Sequence, residues 1–171
     1  VVGHQREQVE AHLAEIAPQV LAAVQEQQLG TGDAVRSGLA GLADLTGEVV
    51  VTSGDVPLLT GETLRGLVRT HRAEENAVTV LTTIAPDPTG YGRVVRESGA
   101  VARIVEQRDS LSAEPATTEI NAGIYVFDAS VLQAGIANLS AVNAQGELYL
   151  TDVIGFARAQ GRRVGASVLA D

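Results

Sequence analysis

Apolar and polar positions divide the chain into short, separately patterned segments. Residues 5–17 carry Val9, Leu13 and Ile16 at helical spacing, and Pro18 ends the run. Residues 20–25 read as a short buried strand, followed by the glycine-containing loop LGTG at 29–32. Val35, Leu39 and Leu42 then fall on one helical face. Val49, Val50, Val51 and Thr52 lead into Ser53-Gly54 as a fully buried strand. Thr60 is a candidate N-cap for a helix through Leu64, Leu67, Val68 and His71, and Glu62 in its first turn suits the helix dipole. Residues 77–84 are rich in β-branched side chains and predict a strand, and Pro86, Pro88 and Gly90 predict a loop. Residues 93–96 and 100–107 flank Glu97-Ser98-Gly99 as a hairpin, and 108–118 are polar and irregular. Residues 119–127 form a further strand, and Asp128 caps a helix through Val131, Leu132 and Ile136. A helix over 148–160 turns Leu150, Val153, Ile154 and Ala157 inward and stops at Gly161, before a last strand at 164–169. Strands alternating with helices, then a hairpin and a further βαβ-like stretch, predict an α/β fold with a mixed sheet.

Length and charge narrow the class. At 171 residues the chain is one domain. A net charge of −9 argues against a nucleic-acid backbone or an anionic membrane surface as partner. A nucleotide substrate stays open, because helix dipoles and a bound cation act locally. The chain has no Lys, so any chemistry that needs a lysine has to come from elsewhere. It has no Cys, which removes disulfides, thiol nucleophiles and thiolate metal sites. No apolar run is long enough to span a bilayer and no leader pattern is visible, which predicts a cytoplasmic protein. The chain contains no Met and opens Val1-Val2-Gly3-His4, which reads as the tail of a strand, so it is expected to be a piece of a longer protein.

Six stretches could carry chemistry. In QEQQLGTGDA, residues 25–34, glycines permit close backbone approach and the following helix aims N–H groups at a ligand; an ordinary strand-to-helix turn is the alternative. Asp55, after the strand at 49–53, is either a turn residue or a carboxylate that holds Mg²⁺ together with substrate phosphates. PTGYGRVV at 88–95 suggests a tight approach around Tyr91, or a wide turn. Glu106 ends a strand, and Asn121 is a polar residue in an otherwise apolar one. Each is a ligand contact facing a pocket or a satisfied structural polar group. NAQGELYLTD at 143–152 is a polar loop opening a helix. His4, His12 and His71 have no metal-like spacing and are expected at the surface, and no Ser-His-Asp pattern is present.

Taken in order, Gln25 with LGTG, SGDVPLL, GYGR, IVEQRD, EINAGIYVFD and NAQGELYLTD resemble the bacterial N-acetylglucosamine-1-phosphate uridylyltransferase family. That activity forms the N-terminal domain of the bifunctional uridylyltransferase and glucosamine-1-phosphate acetyltransferase that makes UDP-N-acetylglucosamine. The resemblance implies a nucleotide-diphospho-sugar transferase fold, a Rossmann-like mixed sheet flanked by helices. It implies that Gln25 reads the uracil edge, that Gly30 and Thr31 hold the nucleoside, and that Asp55 is the catalytic Mg²⁺ ligand. It places Gly92, Glu106 and Asn121 on N-acetylglucosamine 1-phosphate, with Glu147, Tyr149 and Thr151 lining the sugar side. The implied partners are UTP, N-acetylglucosamine 1-phosphate and the product UDP-N-acetylglucosamine.

Departures from the family pattern are also visible. The family's first strand and its lysine-ended glycine loop for the triphosphate are missing from these residues, as are a downstream Mg²⁺-binding Asn and the left-handed β-helix that builds the family's trimer. Residues 1–171 are therefore expected to be a partial uridylyltransferase domain, monomeric and inactive alone. Asp33 stands where His is common, and Ser53 where many members have Tyr. Two alternatives remain: a related nucleotidyltransferase with another sugar or base, or a non-catalytic sugar-nucleotide-binding remnant.

Overall fold

The computed structural model describes residues 1–42, 44–109 and 117–169. Eleven elements run α1 (Arg6–Ile16), α2 (Thr31–Leu39), β1 (Glu48–Thr52), α3 (Gly61–Ala73), β2 (Val78–Ile84), β3 (Arg93–Glu97), β4 (Ala100–Val105), β5 (Glu119–Asp128), α4 (Ala129–Ala137), α5 (Asp152–Ala159) and β6 (Val164–Val168). The strands make one mixed sheet in the order β4-β3-β5-β2-β6, with β1 also on β5. β5 is its axis. β2 runs antiparallel along one side of it, while β3 meets it at Ile120 and β1 pairs with residues from Ile124 to Asp128 on the other. β6 is parallel to β2.

Both sheet faces are covered, so β2 and β5 bury side chains on both sides, Thr79 and Thr82 among them. On one face Val80, Tyr125 and Phe127 pack with Leu132 of α4 and Val153 and Ile154 of α5. On the other, Leu81, Ile124 and Val126 meet Leu67 of α3, with Leu64 and Val68 beside it. The hairpin turn matches its prediction, with Ser98 at φ 50° and Gly99 at φ 84°, the twist that joins antiparallel strands tightly. Thr60 caps α3, its hydroxyl accepting from Thr63 N at 3.1 Å.

Several expectations are corrected. Residues 20–25 form no strand. Among the described residues their pairing is limited to an isolated bridge from Val24 to Val2, and Val20 and Leu21 are exposed, because no described strand lies alongside them. The helix expected over 5–17 does form, as α1, but it buries no residue and leaves Val9 and Ile16 exposed. β1 is not fully buried. It borders β5 on one side only, and Val50 stays 42% exposed. α2 ends before Leu42, and α5 starts at Asp152, not at residue 148. Leu148 is drawn out of that helix because its backbone bonds to Leu29 and Gly32. Asp128 sits at the N-terminus of α4, yet its carboxylate accepts from Arg162 at 3.0 Å and does not cap the helix. His71 is buried, not on the surface. Helical spacing puts it on the inner face of α3 with Leu67, where Nδ1 lies 3.0 Å from the Thr79 hydroxyl and Nε2 lies 3.4 Å from Asp128. Most of the predicted irregular stretch, residues 110–116, lies outside the described residues. Among the described residues no helix is long and apolar enough to cross a membrane.

Candidate active site

The ends of β1, β2 and β4 and the N-terminal half of β5 converge on a cavity of about 830 Å³. Openings beyond strand ends are where α/β sheets hold ligands. Thr31, Asp55, Glu106, Asn121 and Thr151 all line it, although they lie on five separate stretches of the sequence. Asp55 occupies an exposed turn after β1, so the turn reading holds for its backbone, and the residue also lines the cavity.

A bulge aims Asn121 into the cavity. The β2–β5 register shifts between Val80 and Thr82, and Gly123 takes φ 73° opposite that break. The Asn121 backbone N–H donates to Gly92 O at 2.9 Å, which ties β5 to the start of β3. Its side-chain Oδ1 accepts from Gly123 N at 2.9 Å, and its Nδ2 donates to the Tyr125 hydroxyl at 2.6 Å. One amide proton is thus left for a ligand. Gly92 is pressed against Glu106: a Cβ there would meet Ile104 Cγ2 at 2.9 Å and a Glu106 oxygen at 3.2 Å. The half-buried Glu106 accepts from the Thr151 hydroxyl at 3.1 Å. Burial pushes its carboxyl above the usual range; the Thr151 bond opposes this, and the negative Asp109 and Asp152 add to it.

The loop over residues 25–34 sits next to this group. Gln25 Nε2 donates to Asp33 Oδ2 at 2.8 Å and to Gly30 O at 3.2 Å. Gly30 has φ 103°, and a Cβ on it would lie 2.6 Å from Leu148 O. Neither Gln25 nor Gly30 lines the cavity; they stand behind Thr31, which does. Thr31 Oγ1 accepts from Leu150 N at 3.0 Å, joining this loop to the ELYLTD stretch. Tyr149 faces a neighbouring cavity of about 220 Å³ shared with Glu106, Asp109 and Asp152. Glu147 lines neither cavity.

Sequence reading missed Tyr125 and noted Asp33 only as a departure. Tyr125 is buried, its hydroxyl holds the Asn121 amide, and desolvation pushes its phenol well above the ordinary range, so it stays neutral. Even spacing puts Tyr125 and Asn121 on one strand face, but four residues of regular strand span about 13 Å, and the bulge that brings the two side chains together carries no local signal.

The family model described as nucleotidyl transferase matches residues 1–171. The chain belongs to the nucleotidyl transferase family. It is similar to the bifunctional protein GlmU of Cutibacterium acnes, 59% identical over 172 residues, covering 97% of this chain and 41% of that protein. The same-named protein of Streptomyces coelicolor is 56% identical over 174 residues, covering all of this chain and 36% of that protein. The chain thus spans well under half the length of these relatives. A UDP-glucose pyrophosphorylase solved with UDP-glucose superposes with a TM-score of 0.70 at 16% identity, over 98% of this chain and 70% of that one. A putative glucose-1-phosphate thymidylyltransferase from Bacillus anthracis, solved with sucrose, gives 0.66 at 20% identity, over 98% and 64%. At these identities the likeness is one of fold, and it agrees with the mixed sheet flanked by helices. In this member of the nucleotidyl transferase family, none of the described residues lining the larger cavity is basic.

Proposed function

We propose that residues 1–171 are part of a uridylyltransferase domain that transfers a uridylyl group from UTP to N-acetylglucosamine 1-phosphate. A phosphate oxygen of the sugar phosphate forms a bond to the α-phosphorus of UTP, the α–β anhydride bond breaks, and pyrophosphate leaves. The products are UDP-N-acetylglucosamine and pyrophosphate. The observation that carries this reading is the convergence of Thr31, Asp55, Glu106, Asn121 and Thr151 on one cavity of a nucleotidyl transferase fold. The identity to the GlmU proteins supports it.

Phosphoryl chemistry of this kind asks a protein mainly to position and to neutralise charge. Gln25, Gly30 and Thr31 hold the uridine. Glu106 and Asn121 take sugar hydroxyl or amide groups, Gly92 leaves room beside Glu106, and Tyr149, Thr151 and Glu147 complete the sugar side. Asp55 is the proposed Mg²⁺ ligand. Among the described residues no group of three or more ligating side chains is present. A lone carboxylate is the donor set of an ion that keeps most of its waters and takes phosphate oxygens as further ligands, so Asp55 fits Mg²⁺. When bound, Mg²⁺ neutralises charge on the phosphates that the cavity's own side chains leave unanswered.

Calorimetric titration of the chain with UDP-N-acetylglucosamine and with UDP-glucose, both with Mg²⁺, tests the reading. The expected result is saturable binding of both, tighter for the N-acetyl sugar. No binding of either, or equal binding, contradicts it.

A further inference from the structure

We propose that Asp33 is a positioning residue that fixes which edge of the Gln25 amide meets the nucleobase, and thereby makes the site favour uracil over cytosine. This rests on the reading above, in which Gln25 reads the base. Gln25 Nε2 has two protons and both are used, one on Asp33 Oδ2 and one on Gly30 O. Both partners are acceptors. Turning the amide over would set Oε1 against a carboxylate and a carbonyl, so its orientation is fixed by chemistry. The group left to offer is Oε1, an acceptor.

Asp33 is built for this task. It is buried in the first turn of α2, where a negative charge suits the helix dipole. Its other oxygen accepts from Arg36, and its backbone carbonyl accepts from Ser37 Oγ at 3.0 Å. The Gln25 hydrogen bond, then Arg36, hold its carboxyl below the ordinary aspartate range, against the effect of burial. The charge therefore persists and keeps the amide turned. In a pose that brings ring N3 to Gln25, uracil offers N3–H and forms a hydrogen bond with Oε1. Cytosine offers a lone pair at N3, and the two acceptors repel. Without Asp33 the shorter, charged partner is lost and only the Gly30 carbonyl, at 3.2 Å, opposes rotation, so the amide can turn and donate its NH₂ to cytosine N3.

The trial is calorimetric measurement of UTP and CTP affinity, with Mg²⁺, on the wild-type chain, Asp33→Ala, Asp33→Asn and Gln25→Ala. The wild type is expected to favour UTP by about tenfold or more, the effect of one well-placed hydrogen bond against one repulsive contact. Asp33→Ala is expected to bring the ratio close to one, largely through tighter CTP binding. Asp33→Asn keeps an oxygen that accepts from Nε2 and is expected to retain most of the preference. An unchanged ratio in Asp33→Ala, or loss of UTP affinity with no gain for CTP, overturns the role of Asp33 while leaving Gln25 as the base reader. No uridine preference in the wild type, or a preference that survives Gln25→Ala, overturns the underlying reading and this proposal with it. Should Asp33→Ala not fold, the wild type alone decides by NMR: slow solvent exchange of the Gln25 side-chain amide protons is expected, and fast exchange overturns the proposal.

Discussion

Glu106 is a carboxylate at the edge of water, with a hydroxyl donor from Thr151 on one oxygen and Gly92 packed against it. Asn121 beside it has its amide turned by Tyr125 and Gly123. Groups held this way lose a defined partner when truncated, at a cost of ~1–3 kcal/mol each. Glu106→Ala and Asn121→Ala are expected to weaken N-acetylglucosamine 1-phosphate by roughly tenfold or more and UTP by much less. Separate calorimetric affinities for the two substrates check this, and a selective loss of UTP would move both residues to the nucleotide side. Glu119 has a different job. It accepts from Arg96 through Nε and Nη2, both at 2.7 Å, and from Thr82 Oγ1 at 2.7 Å. The Arg96 hydrogen bonds, helped by Thr82 and opposed by burial, hold its carboxyl below the ordinary glutamate range in the folded state. A carboxyl whose folded pKa is depressed contributes stability above its unfolded pKa and loses it as pH falls through the folded one. Glu119→Gln is therefore expected to cost about 2–3 kcal/mol at neutral pH, and the difference from wild type is expected to shrink below about pH 4.5. Urea denaturation at a series of pH values measures it; a gap that does not change with pH contradicts the assignment.

At the scale of elements, the loop before α2 and the stretch before α5 form one unit. Leu148 N donates to Leu29 O and Gly32 N to Leu148 O, each at 2.8 Å, and Leu150 N donates to Thr31 Oγ1. Gly30→Ala would put a methyl group 2.6 Å from Leu148 O at a left-handed φ, where the backbone itself must give way. We expect a loss of about 2 kcal/mol or more and weaker binding of both nucleotide and sugar phosphate, since both loops shift. Unchanged urea stability and affinities would mean that the contact relaxes freely. This junction also marks where sequence reading stopped. The hairpin at Ser98-Gly99, the buried runs of β2 and β5 and the Thr60 cap were legible because their signals are local. The start of α5 was not, because Leu148 is held by a loop more than a hundred residues earlier. Residues 20–25 and α1 had strand and helix patterns, yet a pattern gives an element's capacity to bury a face, not the presence of a partner. His71 was misplaced because its polar identity outweighed its helical phase. In the site, Asp55, Glu106 and Asn121 stood out as polar residues in or beside apolar strands, and Thr151 only through the family resemblance of NAQGELYLTD. Asp33 and Tyr125 act by holding other side chains, and that appears only once the chain is folded.

For the molecule as a whole, the sheet brings residues from widely separated stretches of the sequence to one side and opens them on one cavity, in a chain whose net charge is −9. The loop that carries Thr31 stands on one flank and the Gly92, Glu106 and Asn121 group on the other, with Thr31 tied to the 147–151 stretch through Leu150 N. The central claim is that a single nucleotide sugar lies across both. Titration of the ¹⁵N-labelled chain with UDP-N-acetylglucosamine and Mg²⁺, followed residue by residue by NMR, tests it most directly. The account predicts saturable shifts, with one common affinity, at Gln25, Gly30, Thr31, Asp55, Gly92, Glu106, Asn121 and Thr151. Shifts confined to one flank, or centred away from the cavity, would contradict it.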